Sequence, residues 1–115
     1  MAKIQLIRGM RVYISGPIKG YRLYERKETF RRVQRELVQS GLVGVNPFEN
    51  GLPDHFDDED HLRADLRMLL DCHGILMLDG WEKSAGARLE LLVACQCGLD
   101  VIMDGDTIVT GEEDD

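Results

Sequence analysis

The chain has 115 residues, of which 43% are hydrophobic, 30% charged and 6% aromatic, the size and composition of one globular domain with a real core. Its formal net charge of −7, gathered in the DHFDDEDH stretch at 54–61 and the terminal GEEDD, argues against polynucleotides and anionic membranes as partners. No apolar run nears the ~20 residues of a membrane span, and no signal-peptide pattern opens the chain, so a soluble, cytoplasmic protein is expected.

In chain order, residues 1–9 read as a loosely held leader. MRVYIS at 10–15 reads as a strand that ends in the turn GPIKG. From Tyr24 to Ser40, Phe30, Val33, Leu37 and Val38 recur at helical spacing, and Gly41 stops the helix. LVGV at 42–45 is a second strand, closed by Asn46 and Pro47, and a polar loop runs from Phe48 to Asp57. The acids Asp57 to Asp60 suit a helix N-terminus, and Leu62, Leu66, Leu69 and Leu70 form that helix's buried stripe.

GILML at 74–78 is continuously apolar, as expected of a strand covered on both faces. Ser84 caps a helix that runs to about Cys97. DVIM at 100–103 is a further strand and TIVT at 107–110 a last short one, before an acidic tail expected to be disordered. One domain over 10–104, with residues 105–115 as short strand and tail, is the expected organisation. The βα alternation predicts an α/β fold: a small doubly wound parallel sheet of four to five strands, with helices on both faces. In such sheets a ligand sits beyond the carboxyl ends of the strands, here at GPIKG, Asn46-Pro47, Asp79-Gly80-Trp81 and Asp104.

Two carboxylates stand out near those ends. Glu90 lies about 60° from the centre of the Ala87, Leu91, Ala94 stripe, and Asp65 has the same relation to Leu62, Leu66 and Leu69. Each is either a boundary acid paired with a neighbouring Arg or Lys, or a group buried for function. GPIKG fits neither the P-loop nor the dinucleotide spacing, so Gly16, Gly20 and Lys19 read either as a strand-exit turn or as an anion contact. Ser84, followed by the amides of Ala85 and Gly86, reads as a plain helix cap or as an anion site. Trp81 could stack on a base or pack in the core.

The acidic stretch matches no metal motif, and neither metal nor cofactor is expected. Cys72, Cys95 and Cys97 read as reduced thiols. Leu89, Leu92 and Val93 make the last helix apolar nearly all round, which predicts a homodimer or higher homo-oligomer.

Tyr13 to Ile18, Asn46-Pro47 and the D-L-x-x-L-L-x-C…L-x-G-W-E-x-S-x-G-A-x-x-E run from Asp65 to Glu90 resemble the nucleoside 2-deoxyribosyltransferase-like superfamily. The similarity spans about residues 10–103 and is greatest to a phage-associated branch of unassigned function. The resemblance implies cleavage of an N-glycosidic bond or deoxyribosyl transfer, with Glu90 as nucleophile, Asp65 as acid/base and Tyr13 orienting the glutamate. It also implies a small-molecule nucleotide or nucleoside as partner. Where transferases hold an acid for a free 5′-hydroxyl this chain has Ser84, as monophosphate hydrolases do, so a (deoxy)nucleoside 5′-monophosphate is the expected substrate. Ser15, Gly16, Ile18, Lys19 and Gly20 would contact it after the first strand, with Asn46, Trp81, Ser84 and Gly86 completing the site. The sequence departs from the family's pattern at His73, where an acid is usual, and at Pro17, where the hydrolases hold a hydroxyl. The alternative is a protein that binds or sequesters nucleotide on the same scaffold without turnover.

Overall fold

A computed structural model describes residues 3–112. The elements run β1 (Lys3–Ile7), β2 (Arg11–Ser15), α1 (Leu23–Gln39), β3 (Val43–Val45), α2 (Asp58–Leu70), β4 (Gly74–Met77), α3 (Ala85–Gln96), β5 (Asp100–Met103) and β6 (Thr107–Gly111). Single 3-10 turns follow β3 at Pro47–Glu49 and β4 at Trp81–Lys83. The main sheet is four-stranded and fully parallel, in the order β3-β2-β4-β5. This is the expected α/β architecture.

Alternation along the central strands decides which helix goes where. Val12, Ile14 and Leu76 face α1 and meet Phe30, Val33 and Leu37 in one core. Tyr13, Ile75 and Met77 face the other way, against Leu69 of α2 and Ala87 and Ala94 of α3. Because both faces of β4 are covered, GILM is buried at every position. Phe30 is fully buried and stacks edge-on against Phe48 at 5.1 Å. Its replacement by alanine should cost about 3–5 kcal/mol.

Three expectations need correction. The segment read as a loose leader contains β1, and β1 pairs in parallel with β6 to form a separate two-stranded sheet, Lys3 opposite Thr107 and Ile7 opposite Gly111. The main sheet keeps four strands, within the four to five expected, and TIVT forms the expected last strand but pairs with β1. The acidic tail begins with Glu112 bonded to Arg8 at 2.9 Å, and residues 113–115 lie outside the described residues. Third, Val38 and Leu70, placed in buried stripes by their spacing, are exposed: each follows a fully buried residue, Leu37 or Leu69, and the turn of about 100° per residue carries it off the buried face. No described helix is long and apolar enough to cross a membrane.

Candidate active site

Beyond the carboxyl ends of β2, β3 and β4 lies a cavity of about 790 Å³, within the range of small-molecule sites. Its walls come from the turn after β2 (Gly16 to Lys19, Tyr21), from the segment after β3, from α2 and from the start of α3. Glu90 and Asp65 both open onto it. A smaller cavity of about 390 Å³ sits between α1 and the β5–β6 turn and holds neither carboxylate.

Glu90 is 6% exposed. Tyr13 Oη donates to its Oε2 at 2.6 Å and Ser15 Oγ donates to its Oε1 at 2.7 Å. The pair follows from strand geometry, since residues 13 and 15 share the face of β2 on which α3 packs. Burial pushes the Glu90 carboxyl up to about 7, against the two hydroxyl bonds, which favour the ionised form. Burial also raises the Tyr13 phenol well above its ordinary value, and the Glu90 charge adds to this. Tyr13 therefore stays a neutral donor. The arrangement holds a carboxylate ready to ionise near neutrality, with both oxygens fixed.

Asp65 is half-buried and accepts from Asn50 Nδ2 at 2.8 Å. Burial raises its pKa, which the Asn50 bond and the nearby His61 partly oppose. Asn50 Nδ2 also lies 3.0 Å from His61 Nδ1, and its Oδ1 accepts from the Leu52 amide at 2.9 Å. Two carboxyls of raised pKa thus face one cavity, one held by hydroxyls and the other by an amide.

Ser84 caps α3, its Oγ accepting from the Ala87 amide at 3.1 Å. The Arg88 amide goes to the Ser84 carbonyl at 2.9 Å, which leaves Ala85 and Gly86 without an intrahelical acceptor at the cavity wall. A Cβ on Gly86 would meet nothing within 4 Å, so that side stays open to a ligand. Gly16 is required for a different reason than close approach to a ligand. A Cβ there would stand 2.8 Å from the Leu78 Cβ, so the glycine lets the β2 turn pack against the end of β4. Ile18 and Lys19 line the cavity, and Lys19 forms an exposed ion pair with Asp58 at its rim.

Other expected site residues lie elsewhere. Asn46 is buried, but its Oδ1 accepts from the Phe48 amide at 3.0 Å and its Nδ2 donates to Gln34, so it caps a 3-10 turn. Trp81 packs against the α2–α3 side of the core, and Gly20 sits in the turn at φ +85° without lining the cavity. His73 accepts from the Arg11 amide through Nδ1 at 3.0 Å, a bridge at the start of β2, remote from the cavity wall. Cys72 is buried, and burial raises its thiol to about 11.

Sequence reasoning missed Asn50, His61 and the apolar wall of Phe48, Leu52 and Phe56. Composition marked that segment as a polar loop. The available signal was three large apolar residues at intervals of four within it.

A family model described as "Domain of unknown function (DUF4406)" matches residues 10–103. No curated protein matches the chain. A 2-deoxyribosyltransferase from Bacillus psychrosaccharolyticus superposes with a TM-score of 0.63 at 20% identity, over 91% of this chain and 77% of that one. A 2-deoxyribosyltransferase from Leishmania mexicana gives 0.65 at 17% identity, over 82% and 63%, and a conserved protein from Enterococcus faecalis V583 gives 0.63 at 22%, over 83% and 62%. The likeness at these identities is one of fold, and the chain spans less than two thirds of the last two proteins.

Proposed function

The chain belongs to the DUF4406 family, and from that premise we propose that it cleaves the N-glycosidic bond of a (deoxy)nucleoside 5′-monophosphate, or transfers the deoxyribosyl group. One observation carries the reading: Glu90, buried at the cavity and held by Tyr13 and Ser15, faces the same space as Asp65. Ionised Glu90 attacks C1′ of the sugar as the C1′–N bond breaks. The bonding pair leaves with the base nitrogen, which takes a proton from Asp65. Water or a second base then attacks C1′ of the glycosyl ester, and the proton lost by that nucleophile returns to Asp65. The raised pKa of Asp65 suits a proton donor, and paired carboxyls suit an oxocarbenium-like transition state.

The apolar wall of Phe48, Leu52 and Phe56 gives the base its surface. The free amides of Ala85 and Gly86 beside the Ser84 cap favour a 5′-phosphate over a 5′-hydroxyl. The 2-deoxyribosyl chemistry in the names of the structural neighbours agrees with the sugar but says nothing of the phosphate. We place the protein in the cytoplasm as a homodimer joined through the outer face of α3, where Leu89 and Leu92 are exposed. Val93, by contrast, packs partly against the core and leaves that strip.

Incubation with a panel of nucleotides and nucleosides, read for free base by chromatography, tests the activity. Base release from monophosphates that is lost in Glu90→Ala supports it, and release unchanged by Glu90→Ala refutes the nucleophile. Binding by calorimetry without release from any member of the panel would favour the sequestering alternative.

A further inference from the structure

Helix α1 begins without a side-chain cap, because the N-cap residue Arg22 makes no cap hydrogen bond. The first-turn amides of this 17-residue helix therefore lack intrahelical acceptors and carry the positive end of its dipole. Glu25, the acid of that turn, is exposed. Leu23, the first helical residue, lines the cavity.

Arg26 adds a second, independent observation. Side chains on a helix lean toward its N-terminus, and the Arg26 guanidinium lies 4.7 Å from the centroid of Tyr21, which precedes the helix. Phe30 flanks it at 5.4 Å. Arg26 is 8% exposed, and its Nε and Nη2 are buried without a hydrogen-bond partner among the described residues. Lys19 and Lys27 nearby have Asp58 and Asp54, but Arg26 has no such counter-ion among the described residues. Burying a guanidinium with two unanswered donors is costly, and ring faces offset only part of that.

We propose that the N-terminus of α1 and the Arg26 guanidinium together form a phosphate-binding site, gated by the Tyr21 ring. Tyr21 is 51% exposed and follows Gly20, which sits in the left-handed region at φ +85° with open space where a Cβ would stand, so packing does not pin the turn that carries the ring. Moving the ring frees Nε and Nη2 as a fork for two oxygens, while first-turn amides take a third. That donor number exceeds the two oxygens of a carboxylate and suits a tetrahedral phosphate. The site is distinct from the Ser84 end of α3 and does not depend on glycosidic chemistry.

Inorganic phosphate titrated into the full chain, with chloride at equal ionic strength as control, should move the Arg26 Nε–H resonance along a saturable curve. Arg26→Met keeps the stem and removes the ion. It should weaken phosphate binding at the α1 amides about ten-fold or more, yet raise thermal stability without phosphate. Tyr21→Ala should tighten binding, since no ring must move. An Arg26 resonance that phosphate leaves in place, with shifts confined to Ala85 and Gly86, overturns the site. Weaker binding in Tyr21→Ala overturns the gate. If Arg26→Met does not fold, the wild-type titration and Tyr21→Ala still decide the matter. Phosphate binding here with no base release from any nucleotide would sink the glycosidase reading and leave this one intact.

Discussion

Replacing Glu90 with glutamine should stabilise the protein, and by an amount that depends on pH. Burial moves the carboxyl from its ordinary 4.5 to about 7. At about 1.4 kcal/mol per pH unit, that shift is about 3 kcal/mol of preference for the protonated form in the folded state. Between pH 4.5 and 7 the native protein holds the Glu90 proton while the unfolded chain has lost it. Wild-type stability therefore falls as pH rises through that window and levels off above it. Glutamine cannot ionise and escapes the loss, and one of the Tyr13 and Ser15 hydroxyls can turn to accept from its amide nitrogen while the other goes on donating to its amide oxygen.

The advantage of Glu90→Gln should be near zero at pH 4.5 and approach about 3 kcal/mol at pH 8, less about 1 kcal/mol for imperfect bonds. In a domain of this size that is a rise in Tm of about 10 °C. Urea titrations of both proteins at half-unit steps from pH 4.5 to 8.5 measure the difference directly. Asp65 and the other carboxyls are common to both and cancel to first order. Parallel stability curves would refute the reasoning, for they would mean that Glu90 titrates as an exposed acid. The same substitution should abolish base release, separating stability from activity at one site.

Other outcomes follow from the same geometry. Initial rates of base release should rise with pH through a midpoint near the about-7 value of Glu90, and Tyr13→Phe should move that midpoint upward by removing a bond that favours the ionised form; a rate flat from pH 6 to 8 counts against the nucleophile. Ser84→Asp should preserve the helix cap but weaken monophosphates far more than nucleosides in calorimetry, and equal losses would remove phosphate from the α3 end. Sedimentation at micromolar concentration should give a dimer that Leu92→Asp dissociates, since Leu92 is 56% exposed on α3, whereas a wild-type species of 13.0 kDa would rule the assembly out.

What the sequence revealed follows from how local each signal is. GILM and the Phe30, Val33, Leu37 stripe were legible because continuous burial and a period of 3.6 are written within a few residues. The segment KIQLI carried no such mark. Only Leu6 is buried in it, and its partner strand lies more than a hundred residues away, a pairing that no local window contains. Glu90 and Asp65 were legible for the same reason as the stripes, as acids at the edge of an apolar helical face. Asn46 and Trp81 were misplaced because position at a strand's carboxyl end fixes where a backbone lies, while side-chain direction depends on the next turn. In Asn46 that turn is a 3-10 helix whose amide takes the side chain inward.

Arg26 shows the limit of such reading most sharply. Amid the run of charges from Arg22 to Glu28 it looks like one more solvated cation, and nothing in its spacing separates it from Lys27. Only tertiary structure puts one under an aromatic ring without a partner and gives the other Asp54 at 2.7 Å. Among the described residues, Ser15, Arg26, Asn46 and Glu90 are the buried polar or charged side chains, and of these Glu90 and Arg26 are ionisable. Glu90 has its two hydroxyl donors, so its burial is answered within the fold. The Arg26 Nε and Nη2 have no acceptor among the described residues, so their burial would be answered from outside the fold, by the anion the site is proposed to take.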